Sequence, residues 1–117
     1  MGSTMRVSDV LKSGFPLTVE LLTEVPASND PLTWSRVPLL NAQTVTGVPT
    51  IQNTSDNLLC EMDVYFDVEV AFASTCNCVG ITWQGNCIAV AVATPQYLAG
   101  RMQFGLNLQF QVGPWEQ

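Results

Sequence analysis

Four carboxylates stand two or four positions apart near the middle of the chain, and cation binding is the chemistry that such a row suggests. They are Glu61, Asp63, Asp67 and Glu69. On one face of a β-strand, residues two apart lie about 7 Å from each other, so these charges repel unless something neutralises them. Calcium takes six or more oxygen ligands, which makes these four residues calcium candidates. A solvated face, or one that meets the arginines and lysines of a partner, is the commoner arrangement, and we predict no cofactor.

Cysteine chemistry is a second option, since the chain contains Cys60, Cys76, Cys78 and Cys87. Cys76 and Cys78 lie in a predicted turn, and Cys87 follows the next hairpin turn. Because a strand out and a turn back return the chain to nearby register, a disulfide between Cys78 (or Cys76) and Cys87 is geometrically allowed. Free, partly buried thiols rank ahead of this disulfide. A zinc site ranks last, because Cys-x-Cys is not the Cys-x-x-Cys spacing of structural zinc sites.

A row of uncharged amides follows near the C-terminus. It consists of Gln103, Asn107, Gln109 and Gln111, with Gly105 among them. Such a flat face can hydrogen-bond sugar hydroxyls while an aromatic side chain stacks beside them. It can also line an oligomer axis, where identical amides meet without charge repulsion. An exposed strand of this kind is an aggregation hazard unless something covers it, and this hazard favours the oligomer interpretation.

The residues that most enzymes use near neutral pH are scarce in this chain. It has no histidine to act as a general base, and its one lysine, Lys12, belongs to the N-terminal region. The sequence contains no glycine-rich phosphate loop and no nucleophile elbow. We therefore predict that the protein is not an enzyme.

Two stretches of alternating apolar and polar residues must position the carboxylates and the amides. The apolar residues occupy the even positions from Met62 to Phe72 and again from Met102 to Val112. A strand sends successive side chains to opposite faces, so each stretch is a strand with one apolar and one polar face. The predicted strands are 15–22, 58–73, 79–83, 88–93 and 101–112, with turns at 74–77 and 84–86, a connection at 94–100 and a short helical turn within 6–13. This spacing predicts an all-β fold, a single small antiparallel sandwich or barrel.

Residues 26–57 are the least regular part, because four prolines and two Asn/Asp clusters interrupt them. Their apolar residues still require burial, and we interpret the segment as an extended arm with at most brief strands near 39–40 and 44–46. We predict that Trp34, Val37 and Leu39 in this arm, together with Trp115 in the C-terminal tail, contact neighbouring subunits. Wrapping of the arm around its own domain, and of the tail over its own sheet edge, are the competing interpretations.

The domain organisation follows from these segments. The 117 residues suffice for one hydrophobic core but not for two. We divide this single domain into an N-terminal arm with the short helix (1–14), a strand with the extended arm (15–57) and an antiparallel β core (58–117).

The surface chemistry is unusual, because only 12% of the residues are charged, against roughly 25% in an average soluble domain. The net charge is −6 and Lys and Arg together number four, which excludes the basic patch that nucleic acid or an anionic membrane requires. No apolar run approaches the roughly 20 residues of a membrane span, and no secretory signal is visible. A surface of Thr, Ser, Asn and Gln suits a protein that other proteins largely cover.

The β domain, low charge, amide-rich surface and extended arm together resemble the small structural proteins of virus particles, especially the cement or decoration proteins of phage capsids. This resemblance rests on general character and on no motif, so it transfers no functional residue. It implies a structural protein of the virion, made in the host cytoplasm, that forms a homo-oligomer such as a trimer on a larger protein lattice. The alternative is an extracellular carbohydrate-binding module that uses the amide row and an aromatic side chain.

Overall fold

The computed structural model describes residues 6–14, 16–41, 44–53 and 58–112. Within these residues the chain forms seven strands, one short α-helix and one 3-10 helix. In chain order they are α1 (Val7–Lys12), β1 (Leu17–Leu22), the 3-10 helix (Pro31–Thr33), β2 (Val45–Gly47), β3 (Thr50–Asn53), β4 (Leu58–Glu69), β5 (Ser74–Trp83), β6 (Asn86–Leu98) and β7 (Arg101–Val112). The predicted all-β class is confirmed, and the short N-terminal helix is present.

The strands form two antiparallel sheets that pack face to face around one core. The first sheet has the order β2-β1-β5-β6, and the second has the order β3-β4-β7. Among the described residues no pairing joins β6 to β7, so the sheets stay open and do not close into a barrel. The core takes residues from both sheets and from the helix, including Val7, Leu11, Val19, Ile81, Val64, Phe66 and Leu108.

The two alternating stretches form the longest pair of strands in the second sheet. β4 pairs with β7 along its whole length, from Leu58 opposite Val112 to Glu69 opposite Arg101. Met62, Val64, Phe66 and Val68 are buried, whereas the odd positions between them face outward. The bounds predicted for the last strand, 101–112, are those of β7. A period of two therefore identified both the strands and their buried faces.

Several strand boundaries differ from the sequence prediction because strand pairing overrides local turn signals. β4 ends at Glu69, Phe72 is 82% exposed, and β5 already begins at Ser74, so the predicted turn at 74–77 was wrong. β6 continues to Leu98 through the predicted connection, because a register shift opposite Cys76 and Cys78 accommodates Pro95.

The β5–β6 turn was one residue too long in the prediction. It consists of Gln84 and Gly85, whose φ angles are 51° and 81°, and Asn86 is the first residue of β6. Two consecutive residues with positive φ are the geometry of a tight two-residue hairpin.

Part of the irregular segment packs along the first sheet, with Trp34 on the outer face of that sheet and Val37 in the main core. We call residues 23–40 the cover segment. Val37 N–H donates to the Leu21 carbonyl at 3.1 Å, Thr23 N–H donates to the Ser35 carbonyl at 2.9 Å, and Leu40 N–H donates to the Glu69 carbonyl at 2.8 Å. These bonds hold the segment along β1 and against the end of β4.

Trp34 anchors the cover segment in a notch above β5. An added Cβ at Gly80 would lie 2.1 Å from Cζ3 of the Trp34 ring, so only glycine leaves room for the indole. The ring Nε1–H donates to the Ser28 carbonyl at 3.0 Å, and the guanidinium of Arg36 lies 5.8 Å from the ring centroid. Arg36 in turn forms an ion pair with Glu20 of β1.

In this arrangement the arm packs on its own domain, the competing interpretation of the sequence, and its contacts with neighbouring subunits stay a prediction. Trp34 and Val37 are buried within their own chain, and Leu39 is half-buried against the main core. Their apolar side chains pack within the chain, because hydrogen bonds hold the cover segment along β1. Trp115, the fourth predicted contact residue, lies outside the described residues.

Candidate functional site

The β4–β7 register merges the acidic row and the amide row into one outward surface. Residues directly opposite each other are Glu61 and Gln109, Asp63 and Asn107, Tyr65 and Gly105, Asp67 and Gln103, and Glu69 and Arg101. We call the outward residues 61, 63, 65, 67 and 69 of β4 and 101, 103, 105, 107, 109 and 111 of β7 the acid–amide face. In the sequence these two rows are separate candidates, 40 residues apart, and the fold makes them neighbours.

Neutral amide donors offset the repulsion at one end of the acid–amide face. Asn107 Nδ2 donates to Glu61 Oε2 and to Asp63 Oδ1, both at 2.9 Å. Gln52 of β3 donates from Nε2 to Glu61 Oε1 at 2.6 Å. Hydrogen bonds to an ionised acceptor are stronger than neutral ones, so each donor stabilises a carboxylate without adding charge. Gln52 was not among the predicted site residues, because nothing in the sequence indicated that β3 pairs beside Glu61.

An exposed aromatic ring occupies the centre of the acid–amide face. Tyr65 is 76% exposed and lies across Gly105 on the neighbouring strand. A Cβ at Gly105 would lie 2.9 Å from Cε1 of the tyrosine ring, so the glycine allows the ring to lie close to the β7 backbone. Asp63 and Asp67 flank Tyr65 on its own strand, and Asn107 and Gln103 flank Gly105 on the other.

The four calcium candidates lie in a line rather than around a point. Glu61 and Asp63 share the Asn107 amide, whereas Asp67 lies opposite Gln103 and Glu69 lies opposite Arg101. In the described part of the chain, no three His, Cys, Asp or Glu side chains are placed to hold one ion. Calcium needs six to eight converging oxygens, so this geometry gives the calcium hypothesis no support.

The role of Asn107 leads to a testable prediction. Asn107→Asp keeps the shape of the side chain but replaces two donated hydrogen bonds with a third carboxylate beside Glu61 and Asp63. We expect a loss of about 1–2 kcal/mol in the free energy of unfolding at pH 7. Urea unfolding at pH 7 measures it.

Gln111→Glu is the matched control, because Gln111 lies opposite Leu59 and not opposite a carboxylate. It adds the same charge to the same strand and should change the stability little. Equal losses for Asn107→Asp and Gln111→Glu would show that net charge, and not the local amide contact, governs the stability of this face.

The cysteines do not pair in the predicted way. Cys78 lies opposite Val92, whereas Cys87 lies opposite Thr82, so the ladder separates the two residues of the predicted disulfide. All four cysteines are free thiols, and Cys60, Cys76 and Cys78 are buried. Free thiols are the arrangement that the sequence analysis ranked first, and the second-ranked disulfide is not formed. Residues 76–78 belong to a strand and not to the predicted turn, which places Cys78 farther from the hairpin.

Burial raises the pKa of each of the four thiols. For Cys78 the neighbouring Cys76 adds a smaller electrostatic contribution in the same direction. A raised pKa means less thiolate near neutral pH, and the thiolate is the nucleophile and the metal ligand. These residues therefore resemble small apolar core residues more than reactive groups.

A loss of stability at alkaline pH follows from the raised thiol pKa values. The folded state disfavours the thiolate. The stabilisation of the folded state that depends on protonated thiols is therefore complete below the ordinary thiol pKa of roughly 8.5, and it is lost as the pH rises through the higher folded pKa values. Unfolding free energies between pH 8 and pH 10.5 should therefore decrease. The unfolding free energy of the double variant Cys76→Ala/Cys78→Ala should decrease less steeply with pH, because two of the titrating groups are gone. Parallel curves for both proteins would assign the alkaline loss to other groups.

The two long edge strands enclose a groove that sequence reasoning did not find. β6 and β7 are joined at Ala99–Gly100 but belong to different sheets, so they diverge from this turn. The groove between them has a volume of about 460 Å³. Its walls are Ala91, Val92, Thr94 and Gln96 on β6 and residues 105–109 on β7.

Comparison of the chain with protein-family models, with curated protein sequences and with solved structures gives no match. In the described part of the chain, the only α-helix has six residues, and no helix has the length and apolar character that a membrane crossing demands.

Proposed function

We propose that this protein is a non-enzymatic assembly protein that binds copies of itself and a larger protein lattice, as capsid decoration proteins do. The observation that carries the proposal is the pair of long edge strands beside the groove. β6 has 13 residues and β7 has 12, and Arg101 is the one charged residue in both strands together.

An edge strand presents N–H and C=O groups that lack a ladder partner, and proteins that stay monomeric protect such edges. They use short edge strands, lysines, prolines or bulges. The opposite edges of this fold follow the rule, because β2 has three residues and β3 has four. β6 carries Pro95 and a register shift, which protect part of its length. β7 is long and uninterrupted, and it contains no lysine or proline.

Exposed apolar side chains on and near β6 support the same proposal. Val92 and Tyr97 of β6 are 73% and 67% exposed. Phe72 belongs to the same end of the molecule as Tyr97, since Val70 N–H donates to the Gly100 carbonyl at 2.9 Å. Exposed aromatic residues with few charges around them are typical of surfaces that other proteins cover.

The first test is the solution mass of the purified chain, measured by light scattering after size exclusion over a range of concentrations. We expect a discrete homo-oligomer whose mass is the same with and without reductant, since the structure holds its cysteines as free thiols. A monomer at every concentration would contradict self-assembly.

The second test addresses the lattice. Cells that produce the protein from its native genome are lysed. The lysate is sedimented through a sucrose gradient, and an antibody detects the protein in each fraction. Co-migration with particles much larger than its own oligomer, lost when those particles are dissociated, is the expected result. Recovery of all the protein at the top of the gradient would contradict attachment to a lattice.

Carbohydrate binding is the second candidate function, and the exposed Tyr65 ring on Gly105 favours it. A flat aromatic ring can stack on a sugar, and the carboxylates and amides around it can bond sugar hydroxyls. If this function is correct, the chain binds glycans on an array and Tyr65→Ala weakens that binding at least tenfold. Tyr97→Ala is the control, because Tyr97 is also well exposed but lies on the other sheet.

A further inference from the structure

We infer that β7 is the self-assembly edge, and that two copies pair antiparallel along it around a two-fold axis. This inference rests on the proposed function and names its interface. The second sheet of each copy, β3-β4-β7, would continue into that of its partner to give one six-stranded sheet. The partner is a second copy of this chain, and the arguments concern the length, charge and burial of β7.

The length of β7 makes the pairing extensive. Twelve residues in antiparallel conformation span roughly 40 Å, and the longest dimension of the molecule is 49 Å. β4 pairs with all twelve residues on one side, so alternate N–H and C=O groups of β7 point away from β4 along almost the whole molecule. A second β7 satisfies them with the same spacing, because an antiparallel two-fold pair is self-complementary.

The distribution of charge selects a second copy as the occupant. The outward side chains of β7 beyond Arg101 are Gln103, Gly105, Asn107, Gln109 and Gln111, which are uncharged. Across a two-fold axis, amides would meet amides, which both donate and accept hydrogen bonds. The carboxylates lie one strand farther from the axis. The two acidic rows would be three strand spacings apart, roughly 14 Å, which exceeds the Debye length of about 8 Å at physiological salt.

Half-buried apolar residues on the inner face of β7 leave apolar surface beside the groove that a second copy would cover. Leu108, Phe110 and Val112 are buried, but Met102, Phe104 and Leu106 are only partly covered. These three form the part of the strand that leads from the Ala99–Gly100 turn to the groove. In the two-fold pair the grooves of both copies face each other, and the side chains along them become interior.

β6 is a poorer self-pairing edge for a structural reason. The register shift opposite Cys76 and Cys78 and the ring of Pro95 interrupt its backbone spacing. Pairing of β6 with the β7 of another copy would generate a ring instead of a closed pair. A wild-type oligomer of three or more chains that falls to monomers in the β7 variants would therefore indicate such a ring and contradict the two-fold interface.

The experiment adds charge to β7 while preserving the fold of each chain. In Q103K/Q109K, each new lysine lies opposite a carboxylate of its own chain, Asp67 or Glu61, so the monomer keeps favourable cross-strand pairs. With the two-fold axis at Leu106, the middle of β7, position 103 of one copy lies opposite position 109 of the other, so the added positive charges of the two copies repel. Light scattering should show the wild-type pair reduced to monomers, with a dissociation constant at least tenfold higher and an unchanged circular dichroism spectrum. An unchanged mass would overturn the β7 interface.

A cross-linking measurement tests the geometry directly. Single cysteines replace Gln103, Asn107, Gln109 or Gln111 in turn, and mild oxidation is followed by gel electrophoresis with the wild-type chain as background. Positions near the axis should form dimers rapidly. D63C is the control one strand away, and it should not form them. Equal cross-linking at Asp63 and at all β7 positions would contradict a defined two-fold pair.

The two levels of the proposal fail in distinguishable ways. If the wild-type chain is an oligomer, its mass is unchanged in Q103K/Q109K and no β7 position cross-links, then this interface is overturned. The proposed assembly function is not contradicted by that result. A wild-type monomer at every concentration overturns both.

Discussion

Gly80→Ala is expected to destabilise the fold by about 3–5 kcal/mol, the range for losing a large buried aromatic side chain. The new methyl group would lie 2.1 Å from Cζ3, 2.6 Å from Cη2 and 2.7 Å from Cε3 of Trp34. The indole has little freedom to retreat, because it is buried and its Nε1–H is bonded to Ser28. Expulsion of the ring would expose the outer face of β5 and detach the cover segment. Urea unfolding followed by circular dichroism measures the change.

A double-mutant cycle isolates this contact. Trp34→Ala alone should cost a similar amount, and Gly80→Ala should then add little, because the methyl group has space once the ring is gone. Gly47→Ala is the matched control. Its Cβ would approach only the terminal methyl of Met62, at 2.8 Å, and a flexible methionine end can move. If the losses in unfolding free energy of Gly80→Ala and Trp34→Ala add strictly in the double variant, the contact between Gly80 and the Trp34 ring is not what destabilises Gly80→Ala.

Phe66→Ala should be the second largest loss, again about 3–5 kcal/mol. Phe66 is 1% exposed, and its ring stacks on Phe104 with centroids 5.5 Å apart and an angle of 22° between the planes. Phe104→Ala removes the other ring of the same pair from a half-buried position, so we expect only roughly 1–2 kcal/mol. Urea unfolding of both variants at one low protein concentration gives this comparison.

The same two variants respond differently to protein concentration if β7 pairs with a second copy. The cost of Phe104→Ala should then grow as concentration rises, because assembly buries its position further. The cost of Phe66→Ala comes from within one chain and should grow much less. If the stability losses of the two variants depend identically on protein concentration, Phe104 does not belong to the interface.

Sequence reasoning located most of the acid–amide face but not its assembly. The alternating patterns around 62–72 and 102–112 identified the acidic row and the amide row as outward faces of two strands. Their adjacency depended on the pairing of Leu58 with Val112 and Glu69 with Arg101. Two strands 40 residues apart can pair in many registers, and local pattern does not choose among them. For that reason Asn107 and Gln52 could not be connected to the carboxylates beforehand, whereas Tyr65 shares their strand face in the alternation itself.

The errors have one common physical cause. Local turn signals placed Cys76 and Cys78 in a turn, and prolines indicated an extended arm over residues 26–57. Long-range hydrogen bonds instead place both cysteines in β5 and hold residues 23–40 against their own domain. Trp34 was assigned to a subunit interface because it is a large aromatic residue in an irregular segment. Its site was created by Gly80, 46 positions later in the chain, and no periodicity connects the two.

Residue patterning alone predicts the all-β class, the faces of β4 and β7, and the bounds of β7, because side-chain alternation is a local property of an extended chain. Strand pairing and long-range packing set which rows lie side by side, where the cover segment packs, and that β6 and β7 remain as edges in separate sheets. These features depend on contacts between residues far apart in the chain, whose free energy appears only when both partners are in place.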